Sequence, residues 1–322
     1  MKKTMINKVH LEGKLYQHKL VAKKTGAGSK NPGTDYISGT IDIATDDALT
    51  NIVTVHFTYV VAKYPAKNGK PERPNPNYDI LSDIICGKYS TVMDNGADSA
   101  TKLSVDTNIG INDFYTDRQL DENGEPTLVS AKRNEGGFIH IINALKTDEK
   151  RRNYFETDIV ITGFTLKEAD PDRDLPEKGI IKGAIFDFKN SLLPVELSVV
   201  NPKAIEYFEG LDPSATNPVF TRVSGTEISE VVKKTITTEG AFGDEVREVE
   251  SNRKDFIVNW AQPDIYEWDD ESTITADELK KAMADRQTYL AEVKQRYVDY
   301  KNSVGAEASA FTVTTTSGSF NF

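Results

Sequence analysis

The chain has 322 residues, about two domains at roughly 150 residues each, and it is 38% apolar and 28% charged with a formal net charge of −11. No window approaches the roughly 20 apolar residues of a membrane span, and the opening Met1-Lys2-Lys3-Thr4-Met5-Ile6-Asn7 lacks the apolar core of a secretory signal, so a soluble cytoplasmic protein is expected. The acidic surplus lies wholly in the second half: residues 1–150 carry 19 basic and 19 acidic groups, residues 151–322 carry 20 and 31.

Val9, Leu11, Gly13 and Leu15 alternate with His10, Glu12, Lys14 and Tyr16, the period of a half-buried strand. Eight lysines and one acid, Glu12, fall within the first 30 residues, a footing for a polyanion. The stretch from Lys23 to Gly33 is too rich in Gly and Pro for regular structure. Ile37, Gly39, Ile41 and Ile43 then mark a second strand, and Val53, Val55, Phe57 and Tyr59 a third. A Pro/Gly loop from Pro65 to Pro76 follows, then a helical turn or two at Tyr78 to Ile85, and two further strands near 100–115 and 128–145. Cys86 ends the apolar run from Ile80 and reads as a buried structural thiol; being alone, it forms no internal disulfide. Three strands, a helix and two strands is the order of an oligonucleotide/oligosaccharide-binding (OB) barrel.

The order then recurs. Ile159, Ile161 and Gly163 match Val9, Leu11 and Gly13, and Ile181-Lys182-Gly183-Ala184-Ile185 matches Ile37-Ser38-Gly39-Thr40-Ile41. Val195 to Val199 stands where Val55 to Tyr59 did, and Asn201-Pro202 opens a helix with a cap residue and a first-turn proline. Two long strands, 219–238 and 246–260, turn around Ala241-Phe242-Gly243-Asp244. The paired glycines are placed where a small barrel bends its strands to close. The outward set of the second copy, Phe164, Leu166, Ile180, Ala184, Phe186 and Phe188, is apolar and calls for a cover. A C-terminal helix is the candidate, with a capping box at Thr275 and Glu278 and a stripe of Leu279, Met283, Arg286, Leu290, Val293, Tyr297 and Tyr300. Self-association of that stripe is the alternative. Between barrel and helix, Asp264 to Glu278 holds seven acids and no base.

Catalytic signatures do not emerge. Gly26-Ala27-Gly28-Ser29-Lys30 lacks the Gly-Lys-Ser/Thr ending of a phosphate loop. Asp170, Asp172 and Asp174 lack the glycine and glutamate of a calcium loop, Leu175 and Ile181 standing in their places. The four histidines form no metal pair at helical spacing. A binding protein with no catalytic residues, metal or cofactor is expected.

At Ile6-Asn7-Lys8-Val9-His10-Leu11-Glu12-Gly13-Lys14-Leu15, continued by Asp35-Tyr36-Ile37-Ser38-Gly39-Thr40-Ile41, the N-terminal half resembles the phage-type single-stranded DNA-binding proteins. The resemblance implies a groove across strands one to three, walled by loops, that holds a single strand without reading its sequence. Members often end in an acidic tail with a terminal aromatic; this chain ends in Phe320-Asn321-Phe322 without an acid.

Such binding stacks bases on aromatic rings beside cations that follow the phosphates. Strand parity puts Lys14, Tyr16, His18 and Tyr36 opposite the core set and assigns Phe57 and Tyr59 to the core. Lys19, Lys23, Lys24 and Lys30 lie in or beside the first loop, and Lys63, Lys67, Lys70 and Arg73 in the loop after strand three. Lys132, Arg133 and Phe138 are candidates on the fifth strand, where Gly136-Gly137 can introduce a bulge; His140 shares that strand.

The expected architecture is mainly β, two tandem OB-like β-barrels followed by a C-terminal α-helix. Residues 1–150 form the nucleic-acid-binding barrel and 151–263 a second barrel, a scaffold or a degenerate binder. Residues 264–303 form an acidic linker and amphipathic helix, and 304–322 a Ser/Thr-rich tail. The expected function is sequence-independent binding of single-stranded DNA in replication or recombination, phage-encoded, with replication or recombination proteins as partners. The alternative is a virion-associated structural or assembly protein that uses the barrels for protein contacts.

Overall fold

The structure is a computed structural model and describes residues 5–66, 69, 71–170, 176–238, 245–263, 266 and 274–311, with 232–238, 245–252 and 304–311 described as backbone only. In the first half, β1 (Asn7–His18), β2 (Val21–Lys24), β3 (Asp35–Ala44) and β4 (Ile52–Val61) precede a two-residue ribbon, β5 (Lys63–Tyr64) with β6 (Arg73–Pro74). Helix α1 (Pro76–Ile85) and the single turn α2 (Val92–Asn95) lead to β7 (Lys102–Leu120) and β8 (Pro126–Ile141). The second half runs β9 (Asn153–Lys167), β10 (Lys178–Phe186), β11 (Leu192–Val199), α3 (Pro202–Gly210), β12 (Val219–Thr238), β13 (Glu245–Ala261) and α4 (Ala276–Phe311). The turn at 241–244, the acids Asp172 and Asp174 and most of the acidic run from Asp264 lie outside the described residues.

Each half closes on itself in the same order. In the first, β1 pairs with β3 and β3 with β4, antiparallel; β4 meets β8 in parallel, β8 meets β7, and β7 returns to β1. In the second, β9, β10, β11, β13 and β12 repeat that circuit, with the parallel contact again between third and fifth strands, at Ser198 and Ile257. Both circuits are the five-stranded OB-type barrel. An antiparallel ladder from Asn7↔Thr157 to Leu11↔Asn153 joins the barrels through their first strands.

Burial follows the alternation read from the sequence. Val9, Leu11, Leu15, Ile37, Ile41, Ile43, Val53, Val55 and Phe57 fill the first barrel, and Phe155, Ile159, Ile161, Ile181, Leu197, Phe220 and Phe256 the second, where Phe155 and Phe256 meet edge to face at 5.4 Å. Where strands cross at the corners no side chain fits. A Cβ on Gly13 would lie 2.1 Å from the Ala44 carbonyl oxygen, and one on Gly39, whose φ is +130°, 2.1 Å from that of Lys19. Gly163 does not share this role: its nearest neighbour would be 3.9 Å away.

Two helices, α1 packed on β3 and β4 and α3 on β9 and β10, begin with the same device. Asn75 and Asn201 cap α1 and α3 by accepting from the N–H two residues on, each followed by proline in the first turn. Leu81 and Ile84 of α1 are buried. Cys86, expected to be buried, is instead exposed, because α1 ends at Ile85 and the cysteine sits at its C-cap beyond the inward stripe. In α3, Phe208 is buried and stacks on Phe164 at 6.4 Å. The apolar face of the second barrel is therefore met at Phe164 by its own α3. Asn7 of the first barrel donates to the Phe186 carbonyl at 3.2 Å, where β10 ends. Leu166 and Phe188 remain exposed.

The barrels, residues 1–110 with 133–275, form one compact unit, and residues 111–132 with 276–322 form another. In the second unit the continuation of β7 and β8 makes a two-stranded arm that packs with α4. Asp113 accepts two hydrogen bonds from the Arg286 guanidinium, at 2.7 and 2.6 Å, and one from Ser130 at 2.6 Å. Asp117 accepts from Tyr297 and pairs with Lys301, while Tyr297 lies 5.8 Å from the Tyr115 ring. Hydrogen bonds from Lys301 and Tyr297 hold the Asp117 carboxyl below its ordinary range. The packed stripe is Leu279, Ala282, Arg286, Leu290, Val293 and Tyr297; Met283 and Tyr300 face solvent. Arg286 is thus a specific tie between the arm and α4. Among the described residues no helix is long and apolar enough to cross a membrane.

Candidate nucleic-acid interface

The outward face of the first barrel is set by two bulges that strand alternation does not reveal. Between β1 and β3 the register steps at Tyr16: Leu15 faces Ile43 and Gln17 faces Asp42, leaving Tyr16 as the extra residue. After the step His18 lies opposite Ile41, on the core side, so the face shared with Lys14 passes to Gln17. Gln17 donates to Asp42 at 2.7 Å and Thr54 donates to it at 2.6 Å. Between β3 and β4 the register steps between Ile37 and Gly39, placing an extra residue on β4 past Phe57. Phe57 stays buried, but Tyr59, expected in the core, is 49% exposed. Its ring meets that of Tyr36 with centroids 4.8 Å apart.

Tyr36 has Lys23 of β2 as its ladder neighbour on one side and Val61 of β4 on the other. The ring pair thus lies between the two cationic loops. On the far side, Lys63 begins β5, and the Arg73 guanidinium lies 4.9 Å over the Tyr64 ring. Lys19, Lys23, Lys24, Lys30, Lys63 and Arg73 are all exposed. Lys24 approaches Asp35 at 3.3 Å and Lys63 approaches Glu72 at 3.5 Å, exposed pairs that cost little to open. Lys19, Lys23 and Lys30 have no ion-pair partner among the described residues. Lys67 and Lys70 lie outside the described residues.

The fifth-strand candidates separate. Lys132 belongs to the arm. Arg133 donates through Nε to Glu135 at 2.6 Å, so its charge is compensated. Phe138 is 63% exposed, just past Gly136 and Gly137, which take φ of +65° and +116°. Asn77 of α1 fixes that bend, donating to the Gly137 carbonyl at 2.7 Å and accepting from the Ile139 N–H at 3.2 Å. On the same sheet His56 stands opposite Thr40 and Glu135. Burial, then the charges of Arg133 and Lys254, hold its imidazole below the ordinary value, against Glu135 and Asp42. It is a neutral hydrogen-bonding group at pH 7.

Sequence reasoning alone misses Tyr59, Tyr64 and Lys254. Tyr64 is open to discovery as an aromatic beside Lys63 in a cationic loop. Tyr59 requires a bulge on β4, a strand that carries no glycine of its own to announce it; the step shows only in its pairing with Gly39 of β3. Lys254 comes from the second barrel and has no local marker. Among the described residues no group of three or more His, Cys, Asp or Glu is placed to hold a metal ion.

Two linked barrels with cationic loops around an aromatic face define a β-barrel protein of the OB type. The chain belongs to the YorF family, whose sequence profile matches residues 6–296. No curated protein matches it. Among solved structures it is similar to a deletion mutant of the single-stranded DNA binding protein from Thermus aquaticus. The identity is 10%, the coverage 82% of this chain and 97% of that one, and the TM-score 0.42, an overlap too loose to align binding residues.

Proposed function

We propose that the chain binds single-stranded DNA without sequence preference through the outward face of the first barrel. The observation that carries this reading is the Tyr36–Tyr59 ring pair between two cationic loops. Bases stack on the rings, because every base has a π-face, and the phosphates follow Lys19, Lys23, Lys24 and Lys30 on one side and Lys63 and Arg73 on the other. Neutral His56 and the hydroxyl of Thr40 offer hydrogen bonds that do not depend on charge. With a net charge of −11, the protein must hold a polyanion by a segregated patch, and this face supplies one. The setting we propose is replication or recombination, in a phage-encoded role within the host cytoplasm, with partner proteins of those processes.

Fluorescent oligo-dT and a duplex of equal length, each titrated into the full chain at two salt concentrations, test the reading. Tighter binding of the single strand, weakening as salt rises, is expected. Equal affinity for duplex, or affinity indifferent to salt, refutes it.

A further inference from the structure

A cleft of about 680 Å³ opens beside the ladder that joins the barrels. One wall carries Lys146, Lys150 and Arg151, with Tyr154 beside them; the other carries Ser224, Thr226 and Asn259, all uncharged hydrogen-bonding groups. Among the described residues no carboxylate lines it. The cations do not share one role. The Lys146 ammonium lies 2.8 Å from Glu12 and 2.9 Å from His10 Nε2, so its charge is met within the wall. His10 in turn stacks on Tyr154 at 5.1 Å and contacts Asp106 through Nδ1 at 2.8 Å, which fixes the wall's geometry.

Lys150 and Arg151 are exposed and have no ion-pair partner among the described residues. The acids of their own turn accept from backbone N–H groups, not from these two side chains. Asp148 accepts from the Lys150 backbone N–H at 3.1 Å, and Glu149 accepts from the Asp47 N–H at 2.7 Å. Opposite, Asn259 donates to Thr226 at 3.1 Å, which orients its amide and leaves the carbonyl end of the side chain as an acceptor. The cleft therefore pairs two cations that have no ion-pair partner among the described residues with a neutral donor and acceptor wall, at a volume that suits a small ligand.

We propose that this cleft is a subsite for one nucleoside monophosphate unit. Its phosphate lies on Lys150 and Arg151, and its sugar or base edge lies on Ser224, Thr226 and Asn259. The inference rests on the single-strand reading for its ligand and adds a second place where that ligand is held. The unit is either free or part of a strand, and the two sources are separable.

The test titrates the full chain with labelled dT20 and, separately, with dTMP followed by calorimetry, in parent, Lys150→Ala/Arg151→Ala and Lys150→Arg forms. Both substituted side chains are exposed, and thermal melting checks that the fold is kept. The double variant is expected to bind dT20 at least about five-fold more weakly, and its salt slope to fall by about 0.7, one single-strand phosphate contact. Lys150→Arg is expected to retain the parent affinity. Binding of dTMP that the double variant loses assigns the cleft to free nucleotide as well; dT20 binding alone assigns it to the strand. If the parent binds dT20 and the double variant matches it in affinity and slope, with dTMP binding unaffected or absent, the cleft assignment is overturned and the barrel face stands. If the parent binds no dT20, the single-strand reading fails; the cleft then survives only if dTMP binds and the double variant loses it.

Discussion

Replacing Lys19, Lys23 and Lys30 together by alanine removes the exposed cations of the first loop that have no acidic partner among the described residues, while Lys24, Lys63 and Arg73 remain. If all six side chains contact phosphates, the single-strand slope of roughly −0.7 per contact gives the parent a log K that falls by about 4 per decade of salt, and the variant one that falls by about 2. Between 50 and 200 mM salt the parent should then lose about 300-fold in affinity and the variant about 20-fold. The folded state should be unaffected, since the Lys19 backbone N–H that bonds to Thr40 at 2.8 Å survives the substitution. Anisotropy of a labelled dT oligonucleotide across that salt range reads both slopes. The same three positions changed to arginine keep their charge and should keep the parent slope. A triple-alanine slope equal to the parent's would remove these lysines from the phosphate path and refute the assignment of the first loop.

Tyr59→Ala should weaken single-strand binding by about 5- to 150-fold, the range for one base stack, with little change in thermal stability because the ring is half exposed; unchanged affinity places the stacking elsewhere. Asp113→Ala strands the Arg286 guanidinium that it binds at 2.7 and 2.6 Å. Removing one partner of such a buried pair costs about 3–5 kcal/mol, so amide exchange along α4 should rise sharply. Stability should also fall on acidification, in two stages. His56 has its folded value depressed, so the unfolded chain takes the proton first and stability drains as pH falls below 6.5. Burial raises the Glu12 carboxyl, but the hydrogen bonds and charge of Lys146 outweigh it and leave it below its ordinary 4.5, so a further loss follows as pH falls past that value. His56→Gln should flatten the upper stage alone, as read by denaturant unfolding at stepped pH.

Strand periods made most of the barrels legible, because closure by β1, β3, β4, β8 and β7 needs only alternating apolar residues and glycine where strands collide, as at Gly13 and Gly39. The ends of strands were harder. β7 and β8 run on past the first barrel into an arm because the alternation of Ile109, Ile111 and Asp113 continues with a polar residue whose partner, Arg286, is 173 positions away. Along α4 the expected stripe holds at Leu279, Arg286, Leu290, Val293 and Tyr297 but not at Met283 and Tyr300: Ala282 takes the inner position instead of Met283, and a small residue does not advertise itself against a large one. At the candidate interface the cationic loops were plain from composition. The ring pair was half visible, since Tyr36 follows parity and Tyr59 obeys a bulge at Thr58 and Tyr59 that only cross-strand register exposes. His18 shows the converse, a polar residue turned toward the core side by the extra residue at Tyr16.

The division of labour between barrels cannot be tested by cutting the chain after residue 150, because the seam is a shared polar structure. Within the second barrel, Asn153 donates to the Glu227 carbonyl at 2.6 Å and accepts from its N–H at 3.2 Å. From the first barrel, Asn51 donates to the same carbonyl at 3.1 Å and accepts from the Ser229 N–H at 2.6 Å, and Asn134 donates to the Glu227 carboxylate at 2.7 Å. Asn134, Asn153 and Glu227 are all buried, so water cannot take over these bonds without opening the seam. Each buried group left without a partner costs about 1–3 kcal/mol, and several together approach the roughly 5–15 kcal/mol that holds a whole domain. A fragment of the first barrel also bares the edge of β1 from Asn7 to Leu11, an open template for aggregation. The barrels should therefore unfold in one calorimetric transition, and Asn153→Ala should lower the midpoint of that single transition without splitting it. Two separated transitions in the parent chain would show that the seam couples the barrels less than its hydrogen bonds require, and would restore the isolated first barrel as a fair test of which copy binds.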